Sequence, residues 1–271
     1  MAWIEIDSVS DARLDPYRDI RSRNWAEHGG WFIAEGILLV QQLLDSDYEC
    51  HNVLVDRKYK SLFEGQLLSG LQVLLVDHRL VQEIVGFKFH RGVIACGLRK
   101  PAGRLPSGLP RVEPSETLVG LIGVQDPENV GGILRTCAAL GIRRVLIGPG
   151  CADPFSRRAL RVSMGNVLKL EIYRSISPLE DLSWIREQLH VFRYAASPVR
   201  DSPVLSNKSL SLAEVHRQGA AIVLFGNERD GLPEEILQIA DYRVRIDMHS
   251  AVDSLNVCVA AGIILHHFCT H

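Results

Sequence analysis

Short apolar segments alternate with helix-patterned segments along almost the whole chain, and this alternation limits the possible folds more than any other feature. Residues 51–56, 117–124 and 222–225 are largely apolar runs, as expected for strands buried on both faces of a sheet. Residues 128–140 instead carry apolar or small side chains at helical spacing. Strands that alternate with helices predict an α/β protein with a parallel sheet.

A segment rich in proline and glycine divides the chain near residue 100. Residues 101–115 contain four prolines and two glycines, a composition that neither continues a helix nor fits a central strand. We therefore predict a small α/β domain over residues 1–100, a linker over 101–116 and a second α/β domain over 117–271. Within the first domain, the apolar pattern of residues 31–47 favours a helix.

Charge and composition argue against several classes of protein. A formal net charge of −2 argues against indiscriminate nucleic-acid binding but allows a local basic patch. The N-terminus lacks the pattern of a secretory signal and no apolar run reaches the roughly 18 residues of a membrane span, so we expect a cytoplasmic protein. The six cysteines are scattered and are expected to be reduced. No metal site is expected, because the histidine-rich tail fits no common ligand spacing.

The first of three polar loops, DPENVGGILRTCAALG, covers residues 126–141. Its glycines follow a strand and open a helix, but their spacing is not GxGxxG, which makes a nucleotide-dependent oxidoreductase an unfavourable alternative. Asn129 lies near the helix start, where its side chain either caps the helix or binds a ligand. Arg135 lies nearly two turns later on a different face, where it forms either a structural ion pair or a site for an anion.

Two further loops follow strands of the second domain. FGNERDGLP, residues 225–233, contains Glu228, which is either a solvated turn residue or a partner of Arg135. IDMHSAVDSLNVCVAAGIIL, residues 246–265, leads into an alanine-rich helix, and its Ser254 and Asn256 are good helix-start residues because their side chains accept hydrogen bonds from first-turn N–H groups. We expect the three loops to converge at one edge of the sheet.

The segments NVGGILRTCAALG, LFGNERDGLP and IDMHSAVDSLNVCVAAGIIL resemble, in order, the three motifs of the SpoU (TrmH-like) RNA 2′-O-ribose methyltransferases of the SPOUT superfamily. The resemblance covers residues 117–267, and WFIAEGILLV and HRGVIA upstream resemble the L30e-like substrate-binding domain of many members. It implies a knotted (trefoil) domain with a parallel sheet, S-adenosyl-L-methionine as methyl donor, and rRNA or tRNA as substrate. It also implies a homodimer in which each subunit contributes to the other's site.

The same resemblance implies roles for individual residues. Backbone groups of Gly226, Ile246 and Leu255 are expected to hold the methyl donor. Arg135 is expected to act on the ribose hydroxyl, with Glu228 positioning it. The polar set around the ribose and the donor comprises Asn129, Arg135, Glu228, Ser254 and Asn256.

One position departs from the family pattern. The third motif usually begins Ile-Pro-Met, whereas this chain has Asp247 in place of the proline. The change removes a fixed φ and adds a charge beside the expected donor pocket, so a catalytically silent RNA-binding relative is an alternative.

RNA selection is assigned to the first domain, and because the 2′-hydroxyl distinguishes RNA from DNA, DNA is not an expected partner. The basic residues of this domain either contact phosphates or are ordinary surface charges. They are Arg21, Arg23, Arg57, Lys58, Lys60, Lys88 and Arg91.

Overall fold

The computed structural model describes residues 2–18, 20, 30–63, 71–87, 89–101, 103–104, 109–198, 209–249 and 254–270. Arg21, Arg23 and Lys88 lie outside these ranges. The chain divides into two compact units, residues 1–101 with 153–168 and residues 102–152 with 169–271. Residues 153–168 therefore belong to the first unit, although they lie far beyond the proline-rich segment in sequence.

The strands and helices follow the order expected of an α/β chain. The described strands are β1 (Ala2–Ile6), β2 (Trp31–Glu35), β3 (Cys50–Asp56), β4 (Gln72–Val76), β5 (Val93–Leu98), β6 (Gly103–Arg104), β7 (Thr117–Leu121), β8 (Arg144–Ile147), β9 (Glu171–Arg174), β10 (Phe192–Ala196), β11 (Ser209–Ser211), β12 (Ala221–Phe225) and β13 (Tyr242–Arg245). The described α-helices are α1 (Ile37–Leu44), α2 (Lys60–Phe63), α3 (His78–Val85), α4 (Pro127–Ala139), α5 (Arg157–Val162), α6 (Pro178–Leu189), α7 (Glu234–Ile239) and α8 (Val257–Thr270).

The first unit is built on a mixed sheet whose described strands have the order β1-β4-β3-β5-β2. The strands β1, β4 and β3 pair in parallel, and β5 and β2 add antiparallel pairs. Asp77 caps the start of helix α3, where its side chain accepts a hydrogen bond from the backbone N–H of Arg79. Val81 and Val85 of this helix are buried in one core with Leu54 and Leu74 of the sheet, and full burial of each such side chain contributes about 1.5–3 kcal/mol.

The prediction of a helix over residues 31–47 is wrong for its first part. Trp31–Glu35 forms β2, which pairs with β5, and the helix begins only after Gly36. Gly36 has a φ of 96°, a conformation that favours glycine and separates the strand from the helix. Phe32, Ile33 and Ala34 are all buried, so the strand shows no alternation of polar and apolar residues by which it could be recognised.

The second unit contains a sheet in which every pairing between described strands is parallel, in the order β11-β13-β10-β12-β7-β8-β9-β6. The predicted parallel α/β architecture is therefore confirmed. Leu118 of β7 and Ile222 and Leu224 of β12 are buried in one core with Leu182 and Ile185 of α6. The chain leaves β7 toward β8 on one side and later returns through β12 on the other, so the β7–β12 boundary is the switch point at which α/β sheets bind ligands.

Helices α4 and α8 of the second unit pack closely against each other. Asp126 caps the start of helix α4, Pro127 lies in its first turn, and Gly141 follows its end with a φ of 76°, a conformation that favours glycine after a helix. Helix α8 packs against α4, and a Cβ at Gly132 would overlap Sγ of Cys258. Glycine inside a helix costs about 1 kcal/mol relative to alanine, and the close approach of α8 accounts for its presence here.

Candidate functional site

The three polar loops meet at the carboxyl edge of the second sheet, as predicted. They follow β7, β12 and β13, and β10 is the strand that lies between the last two. Because these strands are parallel, their carboxyl ends lie on the same side of the sheet. Residues that are about a hundred positions apart in the sequence are therefore neighbours at this edge.

A chain of side-chain hydrogen bonds joins the three loops. Nδ2 of Asn256 donates to Oδ1 of Asn129 at 3.0 Å, and Nδ2 of Asn129 donates to Oε1 of Glu228 at 2.8 Å. Asn129 is buried, with 7% of its surface exposed, so both polar ends of its amide need partners. We call Asn256, Asn129 and Glu228 the amide relay. It brings together three of the five residues predicted to form the polar set.

Glu228 anchors the relay to the start of α4. Its carboxylate also accepts hydrogen bonds from the backbone N–H groups of Gln125 at 3.4 Å and Asp126 at 3.3 Å. Burial alone raises the pKa of the Glu228 carboxyl, but the hydrogen bonds from Asn129 and from backbone N–H groups outweigh it, so the net pKa lies below its ordinary value. Glu228 is therefore held as a carboxylate at neutral pH.

Asn256 has a second function as the cap of α8. Its Oδ1 accepts hydrogen bonds from the backbone N–H groups of Cys258 at 2.9 Å and Val259 at 3.3 Å, which confirms its prediction as a helix-start residue. The side-chain oxygen of Asn256 thus accepts hydrogen bonds from the first turn of α8, while its side-chain nitrogen donates to Asn129. Ser254, two residues earlier, is exposed and lines the cavity described below.

The loop after β12 is a tight turn that requires glycine at two positions. A Cβ at Gly226 would overlap the backbone of Gly231 and Leu232, and Gly231 itself has a φ of 73°. Asn227 holds the turn, because its backbone exchanges hydrogen bonds with Gly231 at 2.9 and 3.0 Å and its Nδ2 donates to the carbonyl of Gly123 at 2.8 Å. The sequence interpretation missed Asn227, although an asparagine followed by a glycine-bounded turn is a recognisable signal.

A cavity opens between this turn and the loop that precedes α8. All three residues predicted to hold the methyl donor, Gly226, Ile246 and Leu255, line it. The strand ends contribute apolar walls from Phe225 and Val244. The other lining residues are Ala196, Ser197, Pro198, Asn227, Glu228, Arg229, Gly231, Met248, Ser254, Val257, Ala260 and Ile264.

Asp247 lies beside the cavity but does not line it. Its neighbours Ile246 and Met248 are lining residues, while one oxygen of Asp247 bonds to the hydroxyl of Ser211 and the other accepts from Nε of Arg245 at 3.2 Å. The charge that replaces the family's proline is thus directed toward the edge strand β11. It does not enter the apolar part of the cavity.

A second, polar depression lies on the other side of the Asn227–Arg229 turn. Asn129 and Glu228 of the amide relay reach it, with Asn227 beside them. Its remaining lining residues are Gln125, Asp126, Arg229 and Asp230. Asn227, Glu228 and Arg229 line both the cavity and this depression, so the two spaces share one wall.

Arg135 is the member of the predicted set that the structure places elsewhere. It lies on the exposed face of α4 and lines neither the cavity nor the polar depression. Among the described residues, the carboxylate of Glu228 bonds to Asn129 and the backbone instead of to Arg135. The predicted pairing of Glu228 with Arg135 is therefore not formed within one chain.

No cluster of three or more metal-ligating side chains occurs among the residues that the structure describes. The six cysteines are free thiols. Burial raises the pKa of Cys50 and Cys96 to about 12, which keeps both thiols protonated and unreactive.

One family model matches the C-terminal part of the chain, and curated relatives match nearly its whole length. Residues 116–266 match the model of the SpoU rRNA Methylase family. An uncharacterized tRNA/rRNA methyltransferase of Mycobacterium tuberculosis is 34% identical over 96% of this chain and 89% of that relative. The 23S rRNA (guanosine(2553)-2′-O)-methyltransferase RlmP of Bacillus subtilis is 22% identical over 97% of this chain and 98% of its own length.

Among solved structures, the chain is similar to an AdoMet-bound rRNA methyltransferase from Sinorhizobium meliloti. The two share 25% sequence identity with a TM-score of 0.81, and the match covers 98% of this chain and 97% of that chain. The similarity extends over the length of both chains.

Proposed function

This chain belongs to the SpoU rRNA methylase family and is an S-adenosylmethionine-dependent RNA 2′-O-methyltransferase, and we propose that its reaction takes place where the cavity and the polar depression meet. The observation that carries this proposal is the amide relay, which ties all three motif loops together at the shared wall. The cavity would hold the methyl donor and the depression would hold the ribose.

The residues around the cavity fit S-adenosylmethionine. Gly226 contributes only backbone atoms to the cavity wall, while Phe225, Val244 and Ile264 offer apolar surface and Ser254 a hydroxyl, the mixture expected of a cofactor site. When bound, the cofactor supplies a methyl group on a positively charged sulfur. Backbone groups of Gly226, Ile246 and Leu255 would hold it, and Asp247 would leave its binding undisturbed.

The polar depression supplies the groups that a ribose needs. The amides of Asn129 and Asn227 can accept from or donate to hydroxyl groups, and the carboxylate of Glu228 can accept from them. Their own hydrogen bonds fix these side chains before the substrate arrives, which lowers the cost of orienting the 2′-oxygen for attack. In this scheme Glu228 positions Asn129 and the loop at the start of α4.

We propose that Arg135 acts in the active site of the neighbouring subunit of a homodimer. Val259 and Ile263 of α8 and Leu255, two residues before the helix, are exposed apolar side chains at four-residue spacing, with 52%, 41% and 37% of their surfaces exposed; we call them the apolar stripe. A second copy of the chain would cover this stripe in a homodimer, and α4, which carries Arg135, packs against α8. Guanidinium groups stay protonated in proteins, so Arg135 would bind the RNA phosphate and polarise the 2′-hydroxyl.

A mixed dimer tests this arrangement. One subunit carries Arg135→Ala and a first affinity tag, the other carries Gly226→Ala and a second tag, and only dimers with both tags are purified. If Arg135 acts across the interface, the mixed dimer has one complete site and about half of the wild-type activity, while each parent is inactive. A mixed dimer as inactive as its parents would place Arg135 in its own subunit's site, and light scattering that finds a monomer would exclude the dimer.

Further assignments follow the family pattern. We propose a trefoil knot in the second unit, an L30e-like RNA-binding domain over residues 1–100 and a linker over 101–116. We also propose rRNA ahead of tRNA as substrate, and hence a cytoplasmic location. No helix in the described ranges is long and apolar enough to cross a bilayer.

The overall function is tested by mapping 2′-O-methylation in total RNA from a strain that lacks the gene. Loss of one modification, restored by the wild-type gene but not by Asn129→Ala, is the expected result. An unchanged methylation map, together with no affinity for S-adenosylmethionine in calorimetry, would favour the catalytically silent alternative.

A further inference from the structure

A groove on the first unit combines arginine side chains with exposed apolar side chains. Leu38 is 68% exposed, Ile37 45% and Met164 43%, and all three line this groove. Single apolar residues on a surface are common, but clustered ones mark an interaction site. Arg91, Arg158 and Arg161 line the same groove, which we call the arginine groove.

The local sequence explains why these side chains face outward. In α5 (RRALRV), Ala159 and Leu160 are buried, so Arg158 and Arg161, three residues apart, share the opposite face. In α1, Leu39, Val40 and Leu43 are buried, which leaves Ile37 and Leu38 in the first turn at the surface. Met164 follows α5 with a φ of 52°, which is uncommon for a residue other than glycine.

The arginine groove is positively charged although the whole chain is not. Its one lining acid, Glu35, is 5% exposed, and its carboxylate lies 3.5 Å from Nε of Arg91 and 3.0 Å from Nε of Arg157. Arg157 also stacks over the ring of Phe87 at 4.4 Å. The three lining arginines against the one lining glutamate give a formal charge of +2, whereas the chain as a whole carries −2.

Two other basic residues of this unit, Arg57 and Lys58, lie close to acidic side chains. Arg57 lies 3.3 Å from Glu5 and 3.5 Å from Asp7, and Lys58 lies 3.6 Å from Asp56. Surface pairs of this kind reduce the local positive potential. Of the described basic residues that the sequence nominated, Arg91 is the one that lines the arginine groove.

We propose that the arginine groove binds unpaired nucleotides of the RNA substrate, an inference that rests on the proposed methyltransferase function. The guanidinium groups of Arg91, Arg158 and Arg161 would hold phosphates, and Ile37, Leu38 and Met164 would contact base faces. A double helix hides its base faces inside the stack and would leave these apolar side chains without a partner. The mixture of charge and apolar surface therefore fits a single-stranded segment, such as a loop or bulge.

The test measures binding of a fluorescein-labelled, mixed-sequence 12-nucleotide RNA to the full chain by anisotropy. The double variant Arg158→Ala, Arg161→Ala is expected to weaken binding at least about tenfold at 100 mM salt and to lower the slope of log Kd against log salt by about 1.4, since each phosphate contact on a single strand contributes about 0.7. The variant Leu38→Asp should also weaken binding. A blunt duplex of the same length should bind weakly to the wild type and respond little to Leu38→Asp.

The matched control removes two positive charges from the second unit, as Arg143→Ala with Lys169→Ala. Both residues are exposed, so RNA affinity and salt slope should stay at wild-type values. Every variant must show the circular dichroism spectrum and the cooperative thermal unfolding of the wild type, which shows that it is folded. Wild-type RNA affinity in the Arg158, Arg161 double variant, or a loss of duplex affinity as large as the loss of single-strand affinity in Leu38→Asp, would overturn the proposal. If the wild-type protein fails to methylate RNA, the proposed function is wrong. The binding measurement requires no methyl transfer, so the two failures can be told apart.

Discussion

Replacing Asn256 with aspartate separates its two tasks. In the wild type, Oδ1 caps α8 while Nδ2 donates to Asn129 at 3.0 Å. Aspartate keeps the capping oxygen but has no N–H to donate, and it places a second carboxylate oxygen against Oδ1 of Asn129. Asn256→Ala, by contrast, removes both the cap and the link.

The expected magnitudes differ between the two variants. Asparagine and aspartate are similar helix caps, and a negative charge at a helix N-terminus adds about 0.3–1 kcal/mol. This gain offsets most of the lost hydrogen bond, worth about 0.5–1.5 kcal/mol, so Asn256→Asp should change the free energy of unfolding by less than about 1 kcal/mol. Asn256→Ala should lose about 2 kcal/mol, from a cap and a hydrogen bond of about 1 kcal/mol each.

The activity of the two variants should depend on whether the amide relay is intact and not on their free energy of unfolding. Both variants remove the hydrogen bond that Asn256 donates to Asn129, so Asn129 loses its fixed orientation. If this raises the activation free energy of methyl transfer by about 1.4 kcal/mol, kcat/KM falls about tenfold in both variants. Urea unfolding and methyl transfer from labelled S-adenosylmethionine measure the two quantities. Adding Asn129→Ala to Asn256→Asp should reduce the rate no further than Asn129→Ala alone, since the two side chains act as one unit. Wild-type kcat/KM in Asn256→Asp would refute the role of the amide relay.

Three other changes probe the same edge of the sheet. Gly226→Ala should reduce S-adenosylmethionine affinity more than about tenfold in calorimetry, because its Cβ would displace the backbone of the turn; unchanged affinity would place the donor elsewhere. The pKa of the Glu228 carboxyl, measured by NMR, should lie below its ordinary value of 4.5. The contribution of this carboxylate to the free energy of unfolding is therefore complete above pH 4.5 and is lost as the pH falls through the lowered pKa. Asn129→Ala should raise this pKa, and an unchanged pKa would mean that the hydrogen bond from Asn129 does not lower it. Asp247→Ala should alter donor affinity by less than about twofold, because its carboxylate bonds to Ser211 outside the cavity, and a larger change would mean that the charge acts on the cofactor.

The fold of the second unit was largely predictable from its sequence because its strands are short apolar runs with clear turns between them. The strands expected from residues 117 and 222 and the helix expected from residue 128 each begin within one residue of that position. The edge strand β11 was not, because Ser209–Ser211 is short and polar and becomes a strand only by pairing with β13. The same tertiary dependence applies to β2, whose apolar residues resemble a helix until β5 is beside them.

Within the site, residue identities were predictable but partners were not. Asn129, Glu228 and Asn256 stood out as polar residues after strands, yet only the sheet order determines that Glu228 meets Asn129 instead of Arg135. The effect of Asp247 also required the structure, since side chains alternate between faces along an extended segment and a one-residue difference decides which face carries the charge.

The amide relay also has a consequence for folding. Its two hydrogen bonds connect residues that are 99 and 127 positions apart, and they form across a parallel sheet whose strands must all be in place. Contacts of such long range form slowly, because the chain must lose the entropy of closing large loops before it gains them. The methyl donor therefore has no site to bind early in folding. It would leave the refolding rate unchanged while adding about 2.7 kcal/mol to the native state at a hundred times its Kd.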